Sequence, residues 1–210
     1  MTNFRIVIII LVIGLISCSK KKNKAELNIV ETKKTINKEK YDRFWITYEY
    51  PNNISEKVEV YVSKEKDTIN NQIKFLNNKI IDSTKSRFFE LSLVKSKNPD
   101  TYNGIFHFYS EHDSNKKNVN KEKTLSLIIF QNSRDSSYYQ MFQSKASNKV
   151  EFELVNYEND QLVGIMSELR FIQEDVDGKD MLNVIKTEMA VDNKPKTHNI
   201  GIEIYELKKR

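Results

Sequence analysis

A chain of 210 residues with 39% hydrophobic, 30% charged and 10% aromatic side chains holds enough apolar material for one substantial domain, which excludes a wholly disordered chain. Five Gly and three Pro exclude collagen-like and low-complexity architectures, and a single Cys excludes a disulfide framework or a multi-Cys metal site. The formal net charge of +5 invites nucleic-acid binding, but residues 41–210 carry 25 basic against 26 acidic side chains, so the excess sits near the amino terminus and no nucleic-acid partner is expected.

Met1–Arg5 is a short basic start, and Ile6–Ile16 follows as eleven residues without a charge. That run falls well short of the roughly 20 residues that span a bilayer as a helix and has the size of a secretory hydrophobic region. The only cysteine stands at its end, and Ser19-Lys20-Lys21-Lys22-Asn23-Lys24 comes next, which no core would accept. Leu15-Ile16-Ser17-Cys18 resembles a bacterial lipobox: a branched residue three before the cysteine, a small residue before the cut, then Cys. The resemblance covers only the first eighteen residues and is to bacterial lipoproteins. It implies a signal peptide over residues 1–17, cleavage before Cys18, and lipidation of the Cys18 thiol and the new amino group, so that the lipid bilayer is a partner through acylated Cys18. Several acyl chains anchor stably where one does not. No Asp follows Cys18 and no acidic run follows it, which by the same resemblance implies the periplasmic face of the outer membrane rather than the inner membrane or cell surface. Residues 18–40 are rich in Lys and Asn with only isolated apolar side chains, and read as a lipid-anchored, disordered basic tether.

From Tyr41 the composition changes, and residues 41–210 are expected to form a single β-rich globular domain. Phe44–Tyr50 is aromatic and β-branched and ends at Pro51, with Trp45, Thr47 and Glu49 on the face opposite Phe44, Ile46 and Tyr48. Val58, Val60 and Val62 alternate with Glu59 and Tyr61, which predicts a half-buried strand with the valines inward. In Asp67–Ile80 the spacing of Ile69, Ile73, Leu76 and Ile80 predicts an amphipathic helix capped by Asp67. Strands are predicted over Arg87–Val94 and Asn103–Ser110, then a charged loop over Glu111–Lys123, then a central strand over Thr124–Phe130. Ser133–Ser144 reads as a short helix or an aromatic loop. Lys149–Tyr157 and Leu162–Gln173 read as strands and Asp177-Gly178 as a turn. Met181–Val191 fits a helix or a hairpin partner, and Ile200–Leu207 alternates as a closing strand. The expected class is mainly β: an antiparallel β-sandwich, or an α+β domain with one or two short helices.

Motifs for catalysis are missing from the sequence. His107, His112 and His198 have no zincin-type spacing, no G-x-S-x-G surrounds a serine, and the five glycines are isolated, so neither a cofactor nor an enzymatic activity is expected. Glu111-His112-Asp113 is acid–base material in a charged loop. Asp175, Asp177 and Asp180 form an acidic cluster that fails the EF-hand pattern and leaves a weak calcium candidate beside the simpler reading as a hairpin turn. Trp45, Tyr138, Tyr139 and Phe142 are candidate binding aromatics, able to anchor a protein or stack on a sugar, with core packing as the alternative. The leading expectation is a membrane-anchored accessory or binding lipoprotein that recognises an envelope or toxin protein through loops of a β-rich domain. A carbohydrate-binding envelope protein and a hydrolase with a spatially assembled carboxylate/His site are the alternatives.

Overall fold

In the computed structural model, the structure describes residues 40–114, 119–132, 137–145, 147–155 and 161–202. All of these belong to the larger of two compact units, Glu31–Arg210. The signal peptide, Cys18 and all but the last residue of the tether lie outside the described residues. No helix among the described residues is long and apolar enough to cross a membrane.

The domain is mainly β, with sheets that curl into an open half-barrel. One sheet is a meander of β1 (Tyr41–Tyr50), β2 (Ile54–Ser63), β3 (Thr68–Asn77) and the short β4 (Ile80–Ile81), closed on its far side by β12 (Lys196–Thr197) next to β1. A three-stranded sheet holds β5 (Phe88–Lys95), β6 (Thr101–Tyr109) and β9 (Lys149–Val155). The remaining four strands run in the order β11 (Lys179–Asp192), β10 (Val163–Val176), β7 (Val119–Asn132) and β8 (Ser137–Lys145). Every pairing among the described strands is antiparallel. A two-bond bridge between Ile73 and Arg87 joins the first sheet to the second.

The core follows from the alternation of the strands. Phe106 and Phe108 on β6, Leu125, Leu127 and Ile129 on β7, and Val150, Phe152 and Leu154 on β9 all turn inward and pack in one apolar cluster with Met166 and Met189. Burying a side chain of this size contributes about 1.5–3 kcal/mol each. Gly104 on β6 is part of that packing, because a methyl group there would overlap the Phe152 ring. Gly104→Ala should therefore lower stability by about 1–3 kcal/mol, the cost of overpacking a filled core, read from the urea midpoint at constant m-value.

Five segments differ from the sequence expectation, among them the charged loop over Glu111–Lys123, whose last five residues belong to strand β7. Asp67–Ile80 is not a helix: Thr68–Asn77 is strand β3. Its register against β2 shifts at Val58/Val60, so that Asn71 and Gln72 together oppose Glu59. This bulge changes the phase of the pleat, so that Ile69 and Leu76, seven positions apart, share the face of Glu59 while Ile73 pairs with Val58 on the other, and the i, i+4, i+7 spacing is not a common face. The run is also poor in strong helix formers. Ser137–Lys145, which overlaps the segment Ser133–Ser144 read as a short helix or a loop, is strand β8. Ile200–Ile202 begins a helical turn instead of a strand: Asn199 Oδ1 accepts the Gly201 amide at 2.9 Å and Asn199 O that of Ile202 at 3.1 Å, an N-cap arrangement. The rest of that segment lies outside the described residues. Finally, Glu59 does not face water; it is fully buried, as is Tyr61 beyond it.

The ambiguous Met181–Val191 resolves as strand β11, paired with β10 through the Asp177-Gly178 turn. Both turn residues have positive φ, 54° and 74°, as a two-residue hairpin of this twist requires.

Candidate functional site

A cleft of about 350 Å³ opens between β1, β3, β5 and the end of β11. Phe89, Leu91 and Leu93 on β5 form its apolar side, and the two leucines also pack on the main core cluster. Arg43, Gln72, Asp192 and Asn193 form a polar side, while Trp45 and Lys74 complete the lining. The pleat explains the grouping: Trp45 lies directly opposite Glu59 across the β1–β2 ladder, so Arg43 and Trp45 share the inward face of the meander.

The polar side is held by two buried carboxylates. Glu59 Oε1 accepts from Arg43 Nε at 2.5 Å, and Oε2 accepts from Asn71 Nδ2 at 2.8 Å and Gln72 Nε2 at 2.7 Å. The bulge makes this possible by sending two adjacent side chains of β3 to the same acceptor. Gln72 Oε1 in turn accepts the Phe89 amide at 3.0 Å, which ties β3 to β5 across the base of the cleft. Arg43 Nη1 donates to the carbonyls of Asp192 and Lys194, at 2.5 and 3.2 Å, and so fixes the chain leaving β11.

Asp192 accepts from Tyr61 Oη at 2.8 Å, Asn199 Nδ2 at 2.8 Å and Thr197 Oγ1 at 2.5 Å. Burial pushes its carboxyl above the usual range, against these three hydrogen bonds and the Arg43 charge, which pull it down. Burial also raises the Tyr61 hydroxyl, with Asp192 and Glu59 adding to it. Both carboxylates thus have their lone pairs directed at protein donors, which suits them to shaping a wall rather than to moving protons of a substrate.

Lys74 is different. Its ammonium lies 5.2 Å from the Trp45 ring centroid and 4.6 Å from that of Phe88, and no carboxylate among the described residues pairs with it. The arrangement offers a cation braced by two aromatic rings next to an apolar strip, fitted to an anionic group carried beside an aliphatic one.

A second charged cluster lies on the four-stranded sheet. Arg170 grips Glu168 with two bonds, Nε to Oε2 at 2.8 Å and Nη2 to Oε1 at 2.7 Å, and both side chains are buried. Nη2 also reaches Asp113 Oδ1 at 2.5 Å, and Lys123 Nζ lies 3.4 Å from Asp113 and 3.6 Å from Glu168. Partial burial would raise Asp113, but the Arg170 hydrogen bond and the Lys123 and Arg170 charges outweigh it and hold the carboxyl below its ordinary value. Glu111-His112-Asp113 is therefore a 3-10 turn pinned by Asp113, which also accepts from Asn148 Nδ2 at 2.7 Å.

Of the aromatics singled out from the sequence, only Trp45 lines the cleft; it is 39% exposed. Tyr138, Tyr139 and Phe142 lie on β8, and the pleat divides them. Phe142 packs tilted against Phe152, ring centroids 5.2 Å apart, on the core, Tyr138 is half-buried on the same face, and Tyr139 is exposed on the other. Asp175, Asp177 and Asp180 sit at the exposed β10–β11 tip, where Asp175 Oδ1 accepts the Gly178 amide at 2.8 Å. No group of three or more His, Cys, Asp or Glu side chains among the described residues is placed to hold a metal ion.

Arg43, Gln72 and Lys74 were not singled out from the sequence. The available signal was Asn70-Asn71-Gln72 interrupting the apolar positions Ile69 and Ile73, with Glu59 between two valines. Polar residues inside an otherwise strand-like pattern belong to a buried network when a neighbouring strand supplies the counter-charge. No family model matches the chain, and neither a curated protein nor a solved structure matches it.

Proposed function

We propose that this chain is a lipid-anchored binding protein of the bacterial cell envelope. In this reading, acylated Cys18 holds the β-domain at the periplasmic face of the outer membrane, and the cleft beside Lys74 takes a segment of a protein partner. The observation that carries the binding half is the Lys74 ammonium, braced by Trp45 and Phe88 without a carboxylate partner among the described residues, next to Leu91 and Leu93. An extended segment with an acidic side chain adjacent to an aliphatic one supplies what that surface lacks. The anchoring half rests on Leu15-Ile16-Ser17-Cys18 at the end of an uncharged run.

Two measurements test the halves separately. Cys18→Ser should abolish the acyl mass on the mature amino terminus and move the protein out of the membrane fraction; an unmodified cysteine in the native protein would end the anchoring half. For the cleft, the full-length protein in detergent should bind short Leu-Asp-type peptides more tightly than their Leu-Lys counterparts. Lys74→Glu should reduce that affinity about tenfold or more, with the unfolding midpoint held as a control. Equal affinity for both peptides, or no effect of the substitution, would remove the cleft from the proposal.

A further inference from the structure

The distal half of the β10–β11 hairpin presents a second surface. Val176, Met181, Leu182 and Val184 are 43%, 48%, 55% and 56% exposed. β11 is the outermost strand of its sheet, and an apolar edge strand is a template for pairing with another strand. The backbone direction along this edge follows from the turn. Val176 and Lys179 close a two-residue loop, so Lys179 and the odd-numbered residues after it turn their N–H and C=O groups towards β10. The even-numbered residues turn theirs outward. Ala190 agrees, since its N–H and C=O meet the Asn71 side chain at 2.8 and 2.9 Å on the side away from β10.

We propose that a second copy of this chain pairs with the edge, β11 against β11 and antiparallel, about a two-fold axis at Asn183. The outward groups of Asp180, Leu182, Val184 and Lys186 then meet in four pairs exchanging about eight backbone hydrogen bonds. This register sets Leu182 opposite Val184 of the partner subunit and Asp180 opposite Lys186 of the partner subunit, each contact occurring twice. On the other face Met181 meets Ile185 of the partner subunit. Moving the axis to Leu182 would set Asp180 against a valine, and moving it to Val184 would set Leu182 against a lysine and Asp180 against Glu188. Charge complementarity thus selects both the occupant and the register. Lys186 already lies 2.7 Å from Glu188 on its own strand, and the pairing places it between two carboxylates. The alternative occupant, an anionic bilayer surface, is opposed by Asp175, Asp177 and Asp180 at the hairpin end.

Cysteine scanning and charge exchange on the full-length protein in detergent test this. At a non-hydrogen-bonded antiparallel pair the Cα atoms approach to about 4.5 Å, within disulfide reach, so Asn183→Cys should give an oxidised dimer. Leu182→Cys and Val184→Cys, whose own mates lie diagonally at about 7–8 Å, should cross-link far less. By sedimentation equilibrium, Asp180→Lys and Lys186→Asp should each weaken the dimer about tenfold, because each reverses two symmetry-related pairs, and the combined exchange should restore it to within about threefold. The proposal is overturned by a monomer at about 100 μM with no Asn183→Cys cross-link, by cross-linking that peaks at 182 or 184, or by a double exchange no tighter than the single ones.

Discussion

Glu59→Ala is expected to destabilise the domain by about 3–5 kcal/mol, the range for removing one partner of a buried ion pair. The cost does not come from the lost side-chain volume. It comes from what remains: the Arg43 Nε, the Asn71 amide and the Gln72 amide all point at the space that the carboxylate fills. Arg43 keeps some access to water, with 18% of its side chain exposed, while Asn71 and Gln72 are nearly closed off. Stranding a buried donor costs about 1–3 kcal/mol each, so even if Arg43 rehydrates, the two amides sustain most of the effect. Glu59→Gln, which keeps the shape and one acceptor, should fall between the alanine variant and the native protein. Denaturant unfolding at fixed pH measures both. A loss under about 1 kcal/mol for the alanine variant would mean that the network does not hold the sheets together. Because Gln72 also binds the Phe89 amide, the same variant should loosen the base of the cleft and weaken the proposed peptide binding along with stability.

Arg170→Met should cost a similar amount, about 3–5 kcal/mol, by leaving Glu168 buried without its two-bond partner. Lys123, 3.6 Å away, offers partial compensation and places the expectation at the lower end. The informative comparison is the double substitution of Arg170→Met with Glu168→Leu. Replacing a buried ion pair by apolar groups of similar volume is often neutral or stabilising, so the double variant should recover most of the loss. The recovery will be incomplete to the extent that Asp113 also depends on Arg170, which it contacts at 2.5 Å. A double variant as unstable as the single one would show that packing, not the orphaned carboxylate, sets the cost.

Much of the half-barrel was legible in the sequence. Strands were legible over Asn103–Ser110, Thr124–Phe130 and Lys149–Tyr157, and in the last of these the alternation of Val150, Phe152 and Leu154 marked the inward face, where all three are buried. The Asp177-Gly178 turn was legible for the same reason: both signals are local, carried by pleat period and by backbone conformations only certain residues adopt. The cleft was not legible in this way. Trp45 stands out in the sequence as an aromatic on the odd face of its strand, but nothing near it in sequence announces Lys74 or Leu93.

The amino-acid sequence by itself determined a mainly β domain, its hairpin tip and part of its core, because each of these depends on residues one or two positions apart. Tertiary structure alone decided the rest. Glu59 looked like a solvent-facing residue between two valines until Arg43, sixteen positions away, was placed beside it. Ile69, Ile73 and Leu76 have a helical spacing, but strand pairing with a bulge facing Glu59 divides them between the two faces of β3. A charge or an amide can enter the interior only where a partner from another strand satisfies it, and that partner is set by strand pairing, which the local pattern does not encode.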